Sequence, residues 1–191
     1  MTPDAMIDVV LGLDPLGDLP RTGWVLRGVR GDCESIAAHT VGVTIVAMMF
    51  VDAVRARGEE VDGERVLRMA VLHDAAEASM GDVPMPSKTP EVRAALAGLE
   101  RTIVESLLPG PWVNTWEEAE ARLTLEARIV KAADKVQMMV KALRYDGQGR
   151  GGLEDFWNNP GNFADQGLPE ARAMFEAIVA RAGRELPPAK T

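Results

Sequence analysis

No part of this chain alternates apolar and polar residues for long enough to make a convincing strand. Between breaks rich in Pro and Gly, apolar residues return every three or four positions, which is the period of an amphipathic helix. Val66, Met69, Ala70, His73 and Glu77, for example, fall on one face of a helix expected from about Asp62 to Gly81. This pattern restricts the chain to helix packed on helix. Abundant Ala, Leu, Glu, Arg and Met favour the same outcome. The expectation is an all-α bundle of five to six main helices. At 191 residues it forms one domain over 1–191, with its core in about 15–160.

Punctuation places the other elements. A short helix is expected over 4–12, then loop over 14–24. A long helix should run from Cys33 to Arg57, with Asp32 as N-cap and Gly58 just past its end. Two prolines flanking Met85 force a loop over 82–88. Thr89 and Pro90 then open a helix that ends at the Pro-Gly-Pro of 109–111. Thr115 and Glu118 have capping-box spacing, and Thr124 offers a second start to a helix ending at Gly147. A last helix lies within 168–185.

The formal net charge of −8 argues against a general nucleic-acid binder, whose footprint would be basic. Cys33 is the single cysteine, so no internal disulfide forms and a reducing compartment is the simplest reading. The first residues are acidic and unlike a signal peptide. The apolar run "VGVTIVAMMFV" at 41–51 is too short to cross a bilayer. A cytoplasmic protein without a membrane partner is expected.

Against this background, "VLHDAAEASMGD" at 71–82 is anomalous. It crowds His73, Asp74, Glu77 and Asp82 into a segment whose other residues are small or apolar. Crowded carboxylates raise one another's pKa, and a divalent cation removes that penalty. One helix supplies too few ligands. The chain's other histidine, His39, lies in the apolar "ESIAAHTVGV", and Asp134 interrupts the apolar "IVKAADKVQMMV". Three core-like helices each carrying a group that ligates metals are explained together if all converge on one cation. His/Asp donors suit Mn²⁺, Co²⁺, Fe²⁺ or Zn²⁺, and Mg²⁺ also remains open.

The ordered set His39, His73-Asp74, Asp134 resembles the HD phosphohydrolase superfamily. The flanks "HDAAEASMGDVP", "PRTGWVLRGVRGDCESIAAHT" and "GGLEDFW" resemble the HD-domain 5′-deoxynucleotidases over about 15–160. The resemblance implies an HD-domain helical bundle with the metal held between helices by His39, His73, Asp74 and Asp134. It implies a hydrolase acting on (deoxy)nucleoside 5′-monophosphates, and a homodimer. Metal-bound water would be the nucleophile. Glu77 is placed to handle a proton, and Asp82 either shares that work or helps hold a second metal. Arg21, Arg27, Arg30, Lys88 and Lys131 are candidates to meet the phosphate, and Trp24 to stack on the base or wall the sugar pocket. Ala38 and Gly23 depart from the usual pattern at positions expected near the substrate. They keep open a modified-nucleotide substrate beside a triphosphohydrolase or a non-catalytic nucleotide-binding module.

Overall fold

The computed structural model describes residues 1–84, 87 and 89–188 of the chain. The helices are α1 (Pro3–Leu13), α2 (Thr22–Leu26), α3 (Ile36–Ala56), α4 (Gly63–Leu72), α5 (Glu77–Met80) and α6 (Pro90–Leu107). They continue with α7 (Gly110–Ala121), α8 (Leu125–Gly147), α9 (Glu154–Trp157) and α10 (Pro169–Arg181). Short 3-10 turns cover Asp14–Gly17 and Pro160–Phe163. No strand forms among the described residues, as the missing alternation requires.

The centre is the pair α3 and α8. α4 packs against both, α7 against α4 and α8, and α10 chiefly against α8. Val43, Ala47, Phe50 and Val54 of α3 meet Val66, Met69 and Ala70 of α4 and Ile129, Ala133 and Val136 of α8 in one buried cluster. Each large apolar side chain removed from water contributes roughly 1.5–3 kcal/mol. The backbones that carry His39 and Asp134 are therefore held by packing, independently of the polar groups beside them.

Several caps follow the sequence signals. Asp62 accepts from the Arg65 amide, Thr89 from Val92 and Thr124 from Ala127. Others do not. α3 starts at Ile36 with Ser35 as its cap, because the preceding residues are committed elsewhere. The Arg21 amide donates to the Glu34 carbonyl, and the Glu34 amide donates to the Tyr145 hydroxyl. Thr115 lies inside α7, its hydroxyl donating to the Pro111 carbonyl, so it caps nothing.

The helix expected over 62–81 is interrupted. After Leu72 the amides of Ala75, Glu77 and Ala78 bond three residues back, at 2.9, 3.0 and 3.2 Å, which tightens the chain into turns through His73–Ala76. α5 resumes for one turn and Gly81, at φ +73°, ends it. The 41–51 run is short, yet α3 spans 21 residues and includes an 18-residue stretch of mean hydropathy 1.7, the length and composition of a membrane span. Its inner face nonetheless packs against α4 and α8.

Candidate metal centre

Three elements meet at one point. α3 delivers His39 from the end of its first turn, the tight turn after α4 delivers His73 and Asp74, and α8 delivers Asp134 from its middle. His39 Nε2 lies 3.3 Å from Asp134 Oδ1 and 3.7 Å from Asp74 Oδ2. His73 Nε2 lies 3.1 Å from the same Asp74 oxygen. The two imidazole rings stand 5.5 Å apart at 56°. Donor atoms of His39, His73 and Asp74 all lie within 4.8 Å of one another.

The hydrogen bonds decide what these atoms present. His73 Nδ1 is 2.8 Å from the Ala70 carbonyl, which can only accept, so Nδ1 carries the proton. Gln137 donates from its Nε2 to the Glu34 carboxylate at 2.8 Å, which turns its carbonyl oxygen toward His39 Nδ1 at 2.5 Å. His39 Nδ1 is thus a donor too. In both neutral rings Nε2 offers a lone pair, and both Nε2 atoms are buried without a hydrogen-bond partner. Lone pairs of two imidazoles face lone pairs of two carboxylates. That arrangement is costly unless a cation lies among them, and the donor set is one a divalent transition metal accepts.

The surrounding charges carry the same message. Burial opposes a charged His73, but Asp74 and Asp134 outweigh it and hold the imidazole above its ordinary pKa. Burial would raise Asp74, yet His73, Arg21 and His39 hold its carboxyl well below the usual range. Burial likewise opposes Asp134, which Lys131, His39 and Lys135 hold well below its ordinary value. Arg21 reaches Asp74 at 3.1 Å, and Lys131 reaches Asp134 at 2.6 Å.

A cleft of about 370 Å³ opens beside these groups. Arg21, Trp24, Arg27, Glu77, Asp82 and Lys131 line it, together with Asp74 and Asp134. Glu77 enters from the first turn of α5. Asp82 accepts from the Thr22 amide at 2.7 Å, which ties the loop after α5 to the segment carrying Arg21 and Trp24. Trp24 is almost fully buried, stacked on Phe156 at 4.3 Å with its indole N–H donating to Glu34 at 3.0 Å. It forms wall, with little face open to a ligand. Arg27 pairs with Asp155 at 2.7 Å. Gly23 also lines the cleft; a Cβ there would come to 3.5 Å from Phe156.

Some expectations fall elsewhere. Ala38 is exposed on α3 and lines no part of the cleft, because the helix turns His39 inward and its neighbour outward. Arg30 is exposed, is not among the lining residues, and its carbonyl accepts from Arg150. Lys88 lies outside the described residues.

Sequence reasoning missed Lys135, Asn159 and Asn162, which also line the cleft. Burial, opposed by Asp134 and reinforced by Lys131 and Arg21, pushes the Lys135 ammonium down to about 8. Its placement one residue after Asp134 was the available signal. Glu34 and Gln137, five residues before His39 and three after Asp134, were missed as well, although their hydrogen bonds lead to His39.

The chain is similar to known proteins over most of its length. Residues 13–171 match the family model described as HD domain. The chain is 31% identical over 169 residues to 5′-deoxynucleotidase HDDC2 of Xenopus laevis, covering 84% of this chain and 79% of that protein. It is 30% identical over 169 residues to 5′-deoxynucleotidase YGK1 of Saccharomyces cerevisiae, covering 83% and 74%. The crystal structure of the PH0347 protein from Pyrococcus horikoshii superposes with a TM-score of 0.79 at 28% identity, over 93% of this chain and 99% of that one.

Proposed function

Because the chain belongs to the HD domain family, we propose that it is a metal-dependent 5′-nucleotidase that removes phosphate from (deoxy)nucleoside 5′-monophosphates. The observation that carries this reading is the pair of buried Nε2 lone pairs facing Asp74 and Asp134, beside a cleft lined by four cationic side chains: Arg21, Arg27, Lys131 and Lys135. The 5′-deoxynucleotidase names of relatives such as HDDC2 and YGK1 support the substrate class.

In this reading His39, His73, Asp74 and Asp134 hold one divalent metal. When bound, the metal supplies Lewis-acid charge and lowers the pKa of a coordinated water. Arg21, Lys131 and Lys135 draw the phosphate to the same end of the cleft and offset its charge, with Arg able to bind two oxygens at once. Lys88 is proposed to join them, and Arg27 to act nearer the mouth. Water attacks phosphorus, the bond from phosphorus to the 5′ oxygen breaks, and the departing alkoxide takes a proton. Glu77 and Asp82 are the carboxylates for that proton traffic. Glu77 leads, since it enters the cleft from the first turn of α5, three residues after Asp74. Trp24, backed by Phe156, walls the sugar and base side. The enzyme is proposed to work in the cytoplasm as a homodimer, without nucleic-acid or membrane partners.

A screen of Mn²⁺, Co²⁺, Mg²⁺ and Zn²⁺ against nucleoside mono- and triphosphates tests the reading. Orthophosphate should be released from monophosphates. His73→Ala should lose both metal and turnover, whereas Glu77→Ala should keep most of the metal and lose at least about a hundredfold in kcat. Release of inorganic triphosphate would assign a triphosphohydrolase instead, and full activity in His73→Ala would remove the reaction from this site.

A further inference from the structure

We propose that Gln137 and Glu34 are positioning residues that fix His39 in the tautomer with its proton on Nδ1, and that the Glu34 carboxylate ties this setting to the cleft wall. The proposal rests on the metal reading of the site for its purpose, though not for its test.

A carboxylate only accepts, so Glu34 Oε1 at 2.8 Å takes the Gln137 amide nitrogen. The Gln137 oxygen is then the atom left facing His39 Nδ1, at 2.5 Å. An amide oxygen also only accepts, so the ring proton sits on Nδ1 and Nε2 is open toward Asp74 and Asp134. Reversing the amide would set its N–H against Nδ1. The ring proton would then move to Nε2 and block the ligand position.

Glu34 cannot be replaced by its amide without loss. Its second oxygen accepts the Trp24 indole N–H at 3.0 Å, and Lys141 lies 3.3 Å from the first. Donors on both oxygens require acceptance at both, which a carboxylate provides and an amide does not. Glu34, Gln137 and His39 are 5, 8 and 0% exposed, so water cannot substitute readily for a lost partner. One buried carboxylate thus orients the ring that faces the cation and the indole that walls the cleft. α3 leaves space for the link: a Cβ on Gly42 would fall 2.7 Å from Gln137 Cγ.

The chain has only two histidines, so their imidazole nitrogens can be read individually by proton–nitrogen correlation spectra of metal-free protein at alkaline pH. His73 is an internal control, since its Nδ1 donates to the Ala70 backbone. Wild type should show Nδ1-protonated rings at both positions. Gln137→Met should move His39 toward the Nε2-protonated form, leave His73 unchanged, and weaken Mn²⁺ binding about 10–100-fold in chelator competition. Glu34→Gln should shift His39 in the same direction, and it carries the test should Gln137→Met fail to fold. An unmoved His39 spectrum in both variants overturns the proposal, as does a shift of both histidines together, which reports general loosening. A wild type that shows the expected tautomers but binds no Mn²⁺ overturns the metal reading alone.

Discussion

Gly42 and Gly98 both sit inside long helices, and the same substitution should act on them with opposite signs. Ala is worth roughly 0.5–1 kcal/mol over Gly in a helix interior. At Gly98, exposed on α6, an added Cβ meets no atom within 4 Å, so Gly98→Ala should stabilise by about that amount. At Gly42 the Cβ would press on Gln137 Cγ at 2.7 Å and Nε2 at 2.9 Å. Gln137 cannot retreat, being bonded to His39 at one end of its amide and to Glu34 at the other. Overpacking of this kind costs about 1–3 kcal/mol, which outweighs the propensity gain, so Gly42→Ala should lower the urea midpoint. Equal effects from the two substitutions would mean that Gln137 is not held as described. His39, His73, Asp74 and Asp134 were legible in the sequence because each is a polar intruder in an otherwise apolar segment. Gln137 and Gly42 were not, because an amide and a glycine are common residues whose meaning comes only from the partner across the α3–α8 contact.

Among the helices, α3 carries two apolar faces. The inner one fills the core, while Val41, Ile45, Met48 and Met49, spaced along its outer side, are 61, 48, 50 and 56% exposed. The low amphipathicity of the 41–51 run is explained if the outer face is covered too, and a second copy of the same helix would cover it symmetrically. The homodimer proposed above should therefore form through α3. Sedimentation of the wild type should show a dimer, and Ile45→Glu with Met49→Glu should weaken it at least about thirtyfold, equivalent to about 2 kcal/mol. A wild type that sediments as a monomer at high concentration removes the proposal. Helix identity was readable from periodicity at this scale, but continuity was not. The 3.6-residue pattern runs unbroken from Val66 through His73 to Glu77, whereas the backbone tightens at His73–Ala76. Pattern reports which side chains share a face; it is blind to a change from four-residue to three-residue hydrogen bonding beneath them.

Taken as a whole, the molecule brings its most uncomfortable electrostatics to the junction of three separately packed elements. α3 and α8 hold their place through one apolar cluster, and the turn after α4 through another, where Ala75 and Ala76 are buried with Val104 and Trp116, so packing supports the junction independently of a cation. Even so, without the cation the junction sets two imidazole lone pairs and two carboxylates against one another, relieved in part by Arg21, Lys131 and Lys135. A cation bound there acts on the native state alone, because the unfolded chain scatters ligands that lie as far apart as residues 39 and 134. At a free concentration one hundred times Kd, such binding adds about 2.7 kcal/mol to stability. For a chain of this length each kcal/mol raises Tm by about 2–4 °C. Protein stripped by chelator should therefore still unfold cooperatively, and Mn²⁺ should raise its Tm by roughly 5–11 °C in scanning calorimetry. His73→Ala should abolish that shift and Glu77→Ala should retain most of it, since the first removes a donor from the junction and the second a carboxylate of the adjoining cleft. A stripped protein with no cooperative transition would show that packing does not carry the junction. Equal shifts in wild type and His73→Ala would place the stabilising cation elsewhere.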